Sequence, residues 1–189
     1  MSIVRPALVT FIGLTAITGI IYPLAVTGAA RALFPSKAAG SLLHKNGTVV
    51  GSSLIAQHTE DPRYFWGRLS ATSDYPTNAG NSGGSNQSGA NPDLRKAAQG
   101  RIDALKAADP DNHEPVPIDL ITASGSGLDP HISPLAAHYQ IGRVAKARNL
   151  PEPAVATLVA RHTQARQLGI FGEPRVNVLE LNLALDAVK

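Results

Sequence analysis

Between Arg5 and Arg31 no side chain is charged. At 1.5 Å of rise per residue, a helix over residues 6–30 is roughly 37 Å long, against a bilayer hydrocarbon core of about 30 Å. An ionised group at the centre of that core costs about 2.5–3.5 kcal/mol, so a run free of charge is what a membrane span requires. Residues 1–33 therefore read as a tilted transmembrane anchor helix. A cleaved signal peptide is the competing reading, with Arg5 as its charged start and small residues flanking Arg31 at Ala30 and Ala32. The apolar part of such a peptide is only about 7–15 residues long, which favours the retained anchor. Within the helix, Thr15 and Gly19 lie four apart, as do Ala25 and Ala29, the spacing at which small residues let a second helix approach closely in lipid. Pro23 is expected to kink the second half, with Tyr22 at the interface.

The chain beyond the anchor is long enough for one domain with a real core. It has no cysteine, so disulfides and Cys-based metal or redox sites are excluded. The 17 basic and 14 acidic side chains of the sequence are scattered singly, which leaves no electrostatic footprint for nucleic acid. Arg31, Lys37 and Lys45 after the helix, against Arg5 before it, tilt the charge count toward a cytoplasmic domain, although long domains cross membranes largely regardless of such counts.

Residues 34–41 form a short linker after Phe34-Pro35, and residues 42–189 form a mixed α/β domain. Asn46-Gly47 between Leu42-Leu43-His44 and Thr48-Val49-Val50 predicts a hairpin with a type I′ turn, and residues 51–57 a further short strand. Tyr64-Phe65-Trp66 concentrates large rings in a chain poor in them and predicts a core anchor. Residues 77–93 contain nothing apolar larger than alanine, so they predict a long polar loop. Asn91-Pro92 caps a helix carrying Leu94, Ala98, Ile102 and Leu105. Residues 118–122 predict a strand, and Ser133-Pro134 opens a helix with Leu135, Tyr139, Gly142 and Ala145 on one face, ending near Asn149. Another helix carries Val155, Leu158, Val159 and His162, with Gly169 as its stop. Apolar alternation at Leu179, Leu181, Leu183 and Leu185 predicts a terminal strand whose latter half reads equally well as helix.

Two stretches bear on chemistry. Gly80-Asn81-Ser82-Gly83-Gly84 fits G-x-S-x-G, but the strand-turn-helix elbow that exposes such a serine is missing, which counts against a membrane-anchored serine hydrolase. Ser82, Gly83, Gly84, Ser85 and Asn86 also suit a backbone anion nest, yet they lack the lysine of a phosphate-binding loop, so a nucleotide-binding regulator is an alternative and a contact loop the blander reading. The turn Ser126-Gly127-Leu128-Asp129-Pro130-His131, closed by Ser133 as a helix cap, is stiffened by its prolines and suits docking. His131 and His138 match no metal-ligand spacing.

Residues 119–134, Arg143-Val144-Ala145-Lys146-Ala147-Arg148, and the tail from Gly172-Glu173-Pro174 to Leu185-Asp186 resemble the C subunit of the Kdp potassium-transporting P-type ATPase. Gly51-Ser52, Leu54-Ile55, Gln57, Tyr64-Phe65 and Arg68 supply further signatures of that family. The resemblance implies a subunit of a bacterial or archaeal plasma-membrane complex with no catalysis or cofactor of its own. It implies three partners: a channel-like potassium subunit, a P-type pump subunit that hydrolyses ATP, and a small single-span subunit. It also implies a single-pass chain with an extracytoplasmic domain, and a role in assembling the complex and raising the nucleotide affinity of the pump subunit.

Overall fold

The computed structural model describes residues 3–188 of the chain. They fall into two compact units, the first ending at Leu42 and the second beginning at Leu43.

In the first unit one uninterrupted helical stretch, Val4–Leu33, is long and apolar enough to cross a membrane. It comprises α1 (Val4–Ala16), a π-helical turn (Ile17–Ile21) and α2 (Tyr22–Leu33). The wide turn ends just before Pro23, which has no N–H to return to the preceding turn; the Tyr22 N–H reaches back to the Ile17 carbonyl instead. No residue of α1 or α2 is buried, so Phe11, Ile12, Ile20 and Leu24 stand open, as lipid-facing side chains do. Phe34 leaves the helical region at φ −137°, and a single turn, α3 (Pro35–Ala38), occupies the predicted linker.

A hairpin of β1 (Leu42–Lys45) and β2 (Thr48–Ser52) follows, all but its first residue in the second unit. Asn46 and Gly47 take φ of 52° and 80°, as a type I′ turn demands. Residues 51–57 do not form the further strand expected of them: β2 absorbs Gly51 and Ser52, and the Ile55 N–H turns back to the Ser52 carbonyl. After the long polar loop come α4 (Pro92–Ala108), capped by the Asn91 side chain, and α5 (Ile118–Ile121). α5 corrects the strand expected at 118–122. Helical winding brings the Asp119 carboxylate onto the Ser133 N–H and hydroxyl at 2.7 and 3.1 Å, a pairing that outweighs the β-propensity of two isoleucines.

β3 (His131–Ile132), α6 (Pro134–Tyr139), α7 (Ile141–Arg148), α8 (Glu152–His162), β4 (Thr163–Gln164), β5 (Arg175–Asn177) and α9 (Val178–Asp186) complete the domain. The helix expected after Ser133 is broken at Gln140, and its buried face carries Ala136, Ala137, Tyr139, Val144 and Ala145 while Leu135 points to solvent. α8 ends at His162 rather than Gly169, because Thr163 and Gln164 pair with β5. The three short strands form an antiparallel sheet in the order β3-β5-β4. The tail resolves as strand then helix: Asn177 caps the Glu180 N–H, and Val178, Leu181 and Leu185 turn inward at helical spacing.

The core joins Phe65 and Trp66 to α4, α6, α7, α8, β5 and α9. Two arginines are buried in it. The guanidinium groups of Arg101 and Arg143 stand 4.8 and 4.4 Å from the Trp66 ring centroid. Arg143 donates to the Pro62 carbonyl and to Gln140 Oε1, and Arg101 to the carbonyls of Leu120 and Gly67. Burial pulls the Arg143 pKa down to about 10, and Arg101 shifts the same way for the same reason.

Candidate functional site: a polar loop clamped to a glycine turn

The two stretches singled out in the sequence lie far apart along the chain and meet in space. The Ser126 carbonyl accepts both the Gly83 N–H at 2.9 Å and the Ser82 hydroxyl at 3.0 Å. Gly127 sits at φ +69°, and a Cβ there would lie 2.5 Å from Thr72 Cγ2 and 2.8 Å from the Gly83 carbonyl oxygen. A Cβ on Gly84 would likewise meet the Gly125 carbonyl oxygen at 2.9 Å. Glycine is required at these positions because backbone lies against backbone.

A small polar knot fixes the near end of the loop. Ser70 Oγ donates to the Gly127 carbonyl and accepts the Thr77 N–H. Thr72 Oγ1 accepts the Asn78 N–H and donates to the Tyr75 carbonyl. Asn78 is itself buried and receives the Gly80 N–H on its side-chain oxygen. Residues 77–91 thus contain no helix or strand, yet the stretch 77–83 is held in place, with the N–H groups of Thr77, Asn78, Gly80, Asn81 and Gly83 bonded to side chains, to the loop itself and to the facing turn.

The far side of the turn is equally fixed. Asp129 accepts the His131 N–H, faces His131 Nδ1 at 3.3 Å, and pairs with Arg68 at 3.3 Å. Arg68 also donates to the Ala123 carbonyl. The Pro130 carbonyl accepts the Val178 N–H, and Ser133 caps the Ala136 N–H of α6. Ser82, Ser85, Asn86 and Ser126 remain exposed on this framework, while Gly127 and Pro130 are buried beneath it. Sequence reasoning missed Ser70, Thr72 and Asn78; the Ser/Thr/Asn density around them was legible only as turn chemistry.

This geometry bears on both alternatives, the serine hydrolase and the nucleotide-binding regulator. Among the described residues the Ser82 hydroxyl bonds to a carbonyl and to no histidine, so nothing activates it as a nucleophile. The Gly83 N–H, which an anion nest would need, already donates to Ser126. The small transmembrane residues stand open, with nothing near a Cβ built at Gly19. Thr15 and Ala25 are ten residues apart, and the wide π-turn between them adds about 100° to the 80° offset such positions have in a regular helix. The Thr15/Gly19 and Ala25/Ala29 pairs therefore present two faces rather than one.

A family profile described as K+-transporting ATPase, c chain, matches residues 4–187. The chain belongs to the KdpC family. It is 63% identical over 186 residues to the potassium-transporting ATPase KdpC subunit of Variovorax paradoxus (strain S110), covering 98% of this chain and 96% of that protein. It is 60% identical over 187 residues to the KdpC subunit of Dechloromonas aromatica (strain RCB), covering 99% and 98%. As a KdpC chain it is an accessory rather than a catalytic subunit of a potassium-transporting ATPase.

Proposed function

We propose that this KdpC chain stabilises its ATPase complex from outside the cytoplasm, seating the clamped loop and turn on the channel-like potassium subunit. The observation that carries this reading is the pair of hydrogen bonds donated by Ser82 Oγ and the Gly83 N–H to the Ser126 carbonyl, which joins two distant polar stretches into one surface. A surface ordered before contact loses little conformational entropy on docking. Ser82, Gly83, Gly84, Ser85 and Asn86 form one edge of the dock, and Ser126, Asp129, His131 and Ser133 the other, supported from beneath by the buried Gly127 and Pro130.

The single span, residues 1–33, holds the chain in the bilayer, with Thr15 and Gly19 packing one helix of the pump or small subunit and Ala25 and Ala29 another. Residues 34–41 link it to the domain at 42–189. A raised nucleotide affinity in the pump subunit is then transmitted through the complex rather than by contact with ATP, since an extracytoplasmic domain meets no cytoplasmic nucleotide. Protease added to intact, right-side-out cells tests the placement. Removal of everything beyond about residue 35 is expected, and cleavage in inverted vesicles alone would overturn it and return the loop to the nucleotide-binding reading.

A further inference from the structure

Residues 165–174, between β4 and β5, end in a small projecting hairpin. Gln167 and Phe171 exchange both backbone hydrogen bonds at 2.9 Å, and the chain reverses through Leu168 at φ +54° and Gly169 at φ +75°. The Gly169 and Ile170 N–H groups close onto the carbonyls of Arg166 and Gln167. At this tip Leu168, Ile170 and Phe171 are 82%, 72% and 61% exposed. Three large apolar side chains within four residues, held out by a turn rather than folded under the domain, form a patch that water disfavours.

We infer that this tip dips into the bilayer surface on the side where the domain lies. Three observations favour lipid over a protein groove as its occupant. First, residues 167–172 carry no charge, and the next charged residues on either side, Arg166 and Glu173, pair with each other at 2.6 Å. Second, the N–H groups of Gln167, Gly169, Ile170 and Phe171 are bonded within the tip, which leaves fewer backbone donors to lose water when the tip enters apolar surroundings. Third, Arg161 lies in the last turn of α8, just before β4, and Arg175 opens β5, so basic groups flank the hairpin in the chain where anionic headgroups would lie when the apolar tip is inserted. The tether is also short: nine residues, 34–42, lie between Leu33 and Leu43, an extended length of at most about 36 Å. Insertion of the tip is open to the domain on either side of the membrane.

The absence of cysteine allows a clean test. A nitroxide is attached to Ile170→Cys, and separately to Arg95→Cys on the exposed surface of α4, in the full chain reconstituted through its own helix into vesicles containing phosphatidylglycerol. The ratio of collision with oxygen to collision with a water-soluble nickel chelate is then measured. At position 170 the ratio is expected to exceed that at position 95 by at least threefold, as it does for labels below the headgroups. Equal ratios would place the tip in water, and low collision with both reagents would place it against protein. Either result overturns the inference.

Discussion

Gly127 is the residue on which the clamp turns. Its left-handed φ is open to glycine at little cost, and the 2.5 and 2.8 Å approaches leave no room for a methyl group. Gly127→Ala is expected to cost about 2–3 kcal/mol, through overpacking and backbone strain, and to loosen residues 77–91 first. Denaturant midpoints, with hydrogen exchange at the Gly83 amide, would measure both effects. Ser82→Ala removes one hydroxyl bond to a carbonyl and should cost no more than about 1 kcal/mol while leaving potassium transport and ATP hydrolysis intact. Loss of ATP hydrolysis at unchanged stability and with the complex still assembled would reinstate a chemical role for Ser82. The limit of sequence at this scale is clearest in Arg101 and Arg143. Arginines within helical segments read as solvated, and only their tertiary juxtaposition with Trp66, which no local signal announces, draws them inside. The burial of Phe65 and Trp66, by contrast, was legible, because large rings in a chain this poor in them have few other uses.

Among the elements, the helix caps and the hairpin were legible because each is written in a few adjacent residues: Asn91-Pro92, Ser133-Pro134 and Asn46-Gly47. Failures came where a short apolar run supports either period. Leu181 and Leu185 satisfy alternation and helical spacing equally, and the deciding signal was Asn177 with Glu180 three residues later, a capping pair at the start of α9. α9 is tied to β1 and α7 through Asp186, which receives Lys45 Nζ at 2.7 Å, Arg148 at 2.6 Å and the Tyr64 hydroxyl at 3.2 Å. Burial raises its pKa, and these three hydrogen bonds together lower it further, leaving a net downward shift. Asp61 is pulled down to about 2 by its side-chain and backbone bonds to Arg63. Carboxyls with depressed folded pKa values stabilise above their unfolded pKa and lose that contribution as pH falls through the folded one. Unfolding midpoints should therefore decline between about pH 4 and pH 2. The decline should be smaller in Asp186→Asn, and identical curves would remove Asp186 from the acid response.

At the scale of the whole chain, the charge-free run at residues 6–30 announced on its own a helix long and apolar enough to cross a membrane. The candidate site was legible only in halves. Composition marked residues 82–86 as loop and the prolines marked 129–134 as rigid, but nothing local told that Ser82 and Gly83 would close on Ser126. The proposed dock rests on that closure and on an extracytoplasmic domain. Its most direct test is a cross-link in the assembled complex, with a cysteine at Ser126 and membrane-impermeant bifunctional reagents added from outside intact cells. A covalent adduct with the channel-like potassium subunit is the expected product. Reaction only with reagents that reach the cytoplasm, or an adduct with the pump subunit alone, would contradict the dock.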